Sequence, residues 1–271
     1  MEETKLLRDI DEQTFSRLLF ERPISQLHMR KVGILAGQHA GLKKVSDCYQ
    51  IINILHHQAV LIAQANHKSH TLPADVFLEP TKNTQQVFAN TDLALELLSE
   101  CGYVVLGMDL EINSIWQLFL ERLLSSRTAP IVFTNESIRL AKTSANAFLE
   151  RTGDVYICDT KKILELIKYL GLTHNLPSNS GVLTKANTLK VLAQHLSAVI
   201  VCVEPTQIVA VDHNDLDTVV VMNIQNEQRL SIDSYFIALF VSLLSDVTAQ
   251  NLSLIHISEP TRLRRISYAV F

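Results

Sequence analysis

Short, nearly unbroken apolar runs alternate along this chain with longer stretches in which apolar residues return every three or four positions. The runs are Lys31–Ala36 (KVGILA), Ala59–Ala63, Val76–Leu78, Tyr103–Leu106 (YVVL), Pro130–Thr134 (PIVFT), Asp154–Cys158 (DVYIC) and Ala198–Val203 (AVIVCV). Runs this rich in Val, Ile and Leu predict strands buried on both faces. The longer stretches predict helices over Val45–His57, Asp92–Cys101, Ser114–Leu124, Ser137–Leu149, Lys161–Leu170 and Lys185–Leu196. In Leu93, Leu97 and Leu98, and in Ile115, Leu118, Phe119 and Leu123, the apolar positions cover one helical face. Asn113 or Ser114, Asn135 and Asp159 stand where N-caps are expected.

Alternating strand and helix is the signature of βαβ units and a parallel sheet. Toward the end the rhythm changes. Gln207–Val211 and Thr218–Met222 flank the turn-rich His213–Asp217 and predict an antiparallel hairpin, and Ser234–Leu244 predicts a buried helix. The expected fold is α/β: a mostly parallel central sheet flanked by helices, with the hairpin near the C-terminus. One domain over residues 25–251 is expected, preceded by a polar helical extension, 1–24, with a helix at Glu12–Phe20 and a break at Pro23. In such a sheet ligands gather over the carboxyl ends of the strands. The positions to watch are therefore Gly37–Gly41, Gly107–Asn113, Asn135–Ser137 and Asp159–Lys161.

Composition narrows the function classes. The chain has 271 residues, 47% hydrophobic and 19% charged, with a formal net charge of −4. That balance gives no electrostatic reason to expect nucleic acid or an anionic membrane as partner. No native run approaches the roughly 20 apolar residues of a membrane span, and the charged N-terminus is no signal peptide. Cys48, Cys101, Cys158 and Cys202 are widely spaced, which fits reduced, buried thiols in a cytoplasmic protein. His56, His57, His67 and His70 cluster in sequence but lack the fixed-geometry pairing of a metal site, so no metal ligands are assigned. Trp116 lies on the apolar face of its helix and is expected in the core. No Gly-x-Ser-x-Gly elbow, Gly-x-Gly-x-x-Gly fingerprint or P-loop is present.

The last twenty residues stand apart. Leu252–Arg262 (LSLIHISEPTR) and Ile266–Phe271 (ISYAVF) resemble, codon by codon and with the correct spacing, the translation of a transposase-library sequencing adapter, Leu263–Arg265 filling its index. Residues 252–271 are accordingly expected to be a non-native tail, with native sequence running to about Asn251 and a C-terminally truncated domain.

At the strand ends the sequence resembles the ribokinase-like superfamily, and within it the nucleotide-dependent NAD(P)H-hydrate dehydratases. The resemblance runs in order from Lys31 to Ser245. KVGILAGQHAG is similar to the family's opening strand and glycine turn, and YVVLGMDLEINSIWQLFLERLL to its strand, glycine-rich turn and helix. AVIVCVEPTQIVAVDHNDLDTVVVMN is similar to the strand, Lys-Gly turn and nucleotide-side hairpin, and SIDSYFIALFVSLL falls where Gly-Ser-Gly-Asp opens the last helix. The motif residues themselves differ. Thr134, Asn135 and Glu136 replace the family's Asp-Ala-Asp. Asp159, Thr160 and Lys161 stand in its Pro-His-Pro-Gly-Glu loop, Glu204 and Pro205 at its Lys-Gly turn, and Ser231 and Ile232 before its catalytic Asp. Glu204 sets a negative charge where nucleotide phosphates are expected, which opposes their binding.

What the resemblance implies is ADP- or ATP-dependent dehydration of hydrated nicotinamide cofactors, with magnesium. Asp233 would be the catalytic acid/base, although the same position also suits a simple N-cap. Gly37 and Gly107 would allow close substrate approach, or serve turns needing positive φ. Asp109 and Asn135 would hydrogen-bond substrate, or act as a solvated loop residue and a helix cap. No residue is assigned to the nucleotide. Since the phosphate-handling residues differ together, the alternative is a non-catalytic relative that keeps the fold as a binding or oligomerisation module.

Overall fold

The computed structural model describes residues 5–7, 31–36, 42–54, 58–64, 74–78, 88–108, 114–126, 129–173, 180–205 and 207–223. The expected helices at Glu12–Phe20 and Ser234–Leu244 and the tail Leu252–Phe271 lie outside the described residues, as do His56, His57, His67 and His70.

The described strands are β1 (Lys5–Leu7), β2 (Lys31–Ala36), β3 (Gln58–Gln64), β4 (Val76–Leu78), β5 (Tyr103–Met108), β6 (Ile131–Thr134), β7 (Val155–Cys158), β8 (Val199–Val203), β9 (Gln207–Asp212) and β10 (Asp215–Asn223). They join one sheet in the order β1-β10-β9-β8-β7-β6-β5-β2-β3-β4. Pairing is parallel from β8 through β4 and antiparallel on both sides of β9, so all seven expected strands and the hairpin are present. β1 falls inside the segment expected to be a helical extension and pairs parallel with β10, Leu6 opposite Val219.

The helices are α1 (Leu42–Ile54), α2 (Thr91–Ser99), α3 (Ser114–Ser126), α4 (Ala145–Leu149), α5 (Thr160–Tyr169) and α6 (Val182–Leu196). None of the described helices is long and apolar enough to cross a membrane. Strand alternation divides the core in two. On one face Val32, Ile34 and Ala36 pack with Val45, Cys48 and Ile52 of α1. On the other, Leu35, Leu106, Phe133 and Tyr156 pack with Leu98, Phe119, Leu166 and Leu192 from α2, α3, α5 and α6. Trp116 is fully buried there, its ring edge-on to Phe88 at 5.1 Å and to Phe119 at 5.8 Å. All four cysteines are buried.

Two glycines serve the sheet. A Cβ on Gly33 would meet Leu98 Cδ2 at 2.6 Å, so α2 packs against β2 only because no side chain intervenes. Gly107 lies where the β2–β5 register slips, since Leu35 pairs with Leu106 but Ala36 with Met108. It is the extra residue of a bulge, a place where glycine is common.

One helix departs from its expected form. The stretch Ser137–Leu149 is not continuous but a 3₁₀ helix, Asn135–Lys142, followed by α4. The reason is local: the amides of Thr143 and Ser144 both turn back to Leu140 O, at 3.1 and 3.0 Å, and the Thr143 hydroxyl donates to the same carbonyl at 3.2 Å. Ser144 Oγ donates instead to Glu121 on α3, at 2.9 Å. Side chains that bond their own backbone compete with helix continuation.

Beneath the parallel strands, at their amino ends, Arg151 and Asp154 form a bidentate pair, Nε to Oδ2 at 2.7 Å and Nη2 to Oδ1 at 2.9 Å. Arg151 also donates to Leu124 O and Ala129 O, at 3.1 and 3.0 Å, while Asp154 Oδ1 accepts the Ile131 amide at 2.8 Å. The pair ties α3, β6 and β7 together out of reach of water, with side-chain exposures of 8% and 1%.

Candidate functional site at the carboxyl ends of β6, β7 and β8

Strands β6 and β7 end in polar residues that turn the chain into a helix, β8 ends in a turn to β9, and polar side chains from these three ends meet above the sheet. After β6, Thr134 Oγ1 donates to Leu106 O at 2.9 Å and lies 3.2 Å from Glu136 Oε2, joining the ends of β5 and β6. Asn135 faces Asp159 at the end of β7: its Nδ2 donates to Asp159 Oδ2 at 3.1 Å, and its Oδ1 accepts the Asp159 amide at 2.9 Å. Asp159 Oδ1 in turn accepts the Lys162 amide at 2.8 Å, which makes Asp159 the N-cap of α5. Asn135, expected as a cap, is instead the first residue of the 3₁₀ helix, and its side chain goes across to β7 rather than down its own helix.

The next link crosses to β8. The Thr160 hydroxyl donates to Glu204 Oε1, and Lys185 Nζ donates to Glu204 Oε2. Glu204 sits in the tight turn from β8 to β9, fixed by its amide donating to Gln207 O at 2.8 Å. Lys185 comes from the second turn of α6 on the same helical stripe as Leu189, Leu192 and Leu196, all buried. Its ammonium stem runs through the core to reach the strand end, leaving the side chain 7% exposed against 20% for Glu204.

Two thiols lie under this bridge. Cys158 and Cys202 are register partners on β7 and β8, and Cys202 Sγ is 3.4 Å from Thr160 Oγ1. Burial pushes the Cys158 thiol well above the usual range, with the neighbouring Asp159 charge adding to the shift. Burial likewise pushes Cys202 up to about 11; the Thr160 hydrogen bond opposes this and the Glu204 charge reinforces it. Both are therefore protonated, inert thiols near neutral pH.

Of the sequence-assigned residues, Asn135 and the end of the strand carrying Gly107 fall on this face, Gly107 one residue beyond the Leu106 carbonyl that Thr134 holds. Gly37, Gly41, Asp109 and Asp233 lie outside the described residues. Lys185 was not singled out, although a lysine in phase with Leu189, Leu192 and Leu196 is a readable signal of a buried cation with a partner. Among the described residues no group of three or more His, Cys, Asp or Glu side chains is placed to hold a metal ion.

No protein-family model matches the sequence, and no curated protein matches it at a significant level. Solved structures match its fold. A ribokinase-like superfamily protein from Enterococcus faecalis V583 aligns with a TM-score of 0.70 at 11% identity, over 92% of this chain and 83% of that one. Phosphomethylpyrimidine kinase from Clostridium difficile 630 aligns at 0.54 and 10% identity, over 86% and 99%. Pyridoxal kinase from Entamoeba histolytica aligns at 0.50 and 11% identity, over 80% and 81%. The fold is ribokinase-like, as the strand-end pattern implied.

Proposed function

We propose that this chain is a non-catalytic ribokinase-fold protein, retained as a binding or oligomerisation module, whose strand-end polar groups are committed to one another. The observation that carries this is the set of contacts Asn135–Asp159, Thr160–Glu204 and Glu204–Lys185 across the ends of β6, β7 and β8, with Asp159 and Thr160 adjacent in the chain. Nucleotide phosphates do not fit these residues. The N-terminus of α5, where the helix dipole favours an anion, already holds the Asp159 carboxylate. Glu204 adds a second negative charge beside it, and like charges at this range oppose docking of a polyphosphate.

Thermal unfolding of the whole chain with ADP, ATP and magnesium tests the reading. The expected melting temperature is the same with and without nucleotide. A saturable rise overturns it, because a ligand at a hundredfold its Kd adds about 2.7 kcal/mol of stability, roughly 5–10 °C for a domain of this size.

A second reading keeps catalysis: an ADP- or ATP-dependent NAD(P)H-hydrate dehydratase acting in nicotinamide cofactor repair, or a small-molecule kinase. It is favoured by the ribokinase-like fold itself, since similar structures are described as phosphomethylpyrimidine kinase and pyridoxal kinase. In it Asp233 is the acid/base, and Gly37, Gly107, Asp109 and Asn135 hold the substrate. Its mark is turnover of hydrated cofactor that disappears in Asp233→Asn while the melting temperature is kept.

A further inference from the structure

Two helices on one face of the sheet are more apolar than their burial there uses. Leu93–Leu98 (LALELL) in α2 and Ile115–Leu120 (IWQLFL) in α3 each hold five apolar residues in six. Six successive residues pass more than once round a helix axis, so such a window is apolar on every side, the pattern of a helix covered all round. The sheet side of each is covered: Ala94 and Leu98 of α2, and Trp116, Phe119 and Leu120 of α3, are buried. On the other side Leu93, Ile115 and Leu118 remain 50%, 39% and 54% exposed. Single exposed leucines are ordinary, and among the described residues Leu149 on α4 and Leu183 on α6 are of that kind, one to a helix. Three gathered on two joined helices mark a contact surface.

The join is an ion pair. Arg122 Nη2 donates to Asp92 Oδ1 at 3.0 Å, tying the third turn of α3 to the first turn of α2. Leu93 follows Asp92 in the chain, and Leu118 and Ile115 lie one and two turns before Arg122, so the apolar side chains gather around that pair. Both charges are exposed, and such a pair contributes little to stability. It does give the face one charge of each sign. α2 leads into β5 and α3 leads out of it, so the two helices run the same way. A two-fold axis lying in the contact, along the helices and between them, sets α2 of one copy over α3 of the other and keeps Asp92 level with Arg122. An isologous contact repeats each pairing in reverse, so the positions that cross must carry opposite charges, whereas a face of one sign repels its own copy. Asp92 and Arg122 meet that condition, and Glu96, exposed one turn beyond Asp92, adds to the anionic side.

We propose that the α2–α3 face is a contact between two copies of this chain, with Leu93, Ile115 and Leu118 at its apolar centre and Asp92 of each copy paired with Arg122 of the other. Its purpose rests on the oligomerisation part of the reading above; its geometry does not. The patch is small beside the roughly 800 Å² per partner of a standard interface, so the dimer is expected to form at micromolar concentration.

The test is sedimentation velocity on the whole chain across that concentration range. Wild type is expected to pass from monomer to dimer. Leu118→Glu and Leu93→Glu, at exposed positions outside the core, are expected to weaken the dimer about tenfold or more, while Leu183→Glu associates as wild type. The decisive variants are Asp92→Arg and Arg122→Asp. Each alone sets like charges across the two-fold and is expected to stay monomeric. Mixed in equal amounts they are expected to form a heterodimer, since every crossing contact then joins opposite charges. An ion pair kept within one chain gives no such rescue. A wild type that stays monomeric, a dimer as tight in either Leu118→Glu or Leu93→Glu as in wild type, an equal loss in Leu183→Glu, or a mixture that does not associate overturns the proposal. Should a leucine variant not fold, the charge variants carry the test alone. A rise in melting temperature with ADP removes the non-catalytic reading and leaves this contact standing, and a monomeric wild type with no nucleotide response does the reverse.

Discussion

The two ends of β6–β8 each carry an ion pair, and the pairs differ in nearly every physical respect. At the amino ends, Arg151 and Asp154 are 8% and 1% exposed, joined by two hydrogen bonds, and each is further bonded to backbone groups. At the carboxyl ends, Lys185 meets Glu204 through one hydrogen bond, and the carboxylate is 20% exposed. The lower pair is a closed arrangement in which both charged groups have further backbone partners, as good geometry must provide when two charges leave water. The upper pair is open on one side. A cation–carboxylate pair is thus closed off at one end of the sheet and open to water on one side at the other, and the difference lies in how many partners each charge has.

The largest expected effect is at the lower end. Asp154→Ala leaves the Arg151 guanidinium buried without its anion and is expected to cost roughly 3–5 kcal/mol, read as a lower urea midpoint at unchanged m-value. A loss below about 1 kcal/mol would break the contrast. Lys185→Met comes next, at about 1–2 kcal/mol, because Glu204 can turn to water once its partner is gone. If it matched Asp154→Ala, the upper pair would be as closed as the lower.

The thiols beneath the upper network give a pH test. An unfolded thiol ionises at about 8.5, while Cys202 in the folded chain holds its proton to about 11. The folded state binds the proton more tightly, so this stability is complete below the unfolded pKa and is lost as pH rises toward the folded one. The slope is about 1.4 kcal/mol per pH unit for the thiol. Cys202→Ala should flatten the fall in urea midpoint between roughly pH 8.5 and 10.5; an unchanged slope would show that the thiol is not shielded. The smallest effect is Asn135→Ala, about 1 kcal/mol, since Asp159 keeps the Lys162 amide as donor.

Most of the sheet was legible in sequence because a strand buried on both faces must be apolar throughout, and Val32–Ala36, Ile131–Thr134 and Val199–Val203 are buried from end to end. The break at Thr143–Ser144 was not, because the apolar spacing of Ile138, Leu140, Ala141 and Phe148 continues across it while the hydroxyls that end the helix compete locally. β1 was missed for the opposite reason: three residues, Lys5–Leu7, show no periodicity, and their strand exists only because β10 offers an edge. At the site, Asp159 was readable as a cap from its own neighbours, whereas the Asn135–Asp159 and Lys185–Glu204 contacts join positions 24 and 19 residues apart. Polar partners brought together only by strand order leave no mark in local spacing.

That edge strand also sets a timetable. β1 lies beside β10 at one margin of the sheet, while β2, which follows it in the chain, stands seven places along the row. During synthesis Lys5–Leu7 leaves the ribosome before the other described strands, but its pairing partner Thr218–Val220 emerges some two hundred residues later. At about 5–20 residues per second, the segment waits at least roughly ten seconds with no strand to join. Its docking is therefore expected among the last events of folding, a seal on a sheet already assembled, and deleting it should alter the nascent chain's early folding little while exposing a finished edge to neighbouring copies.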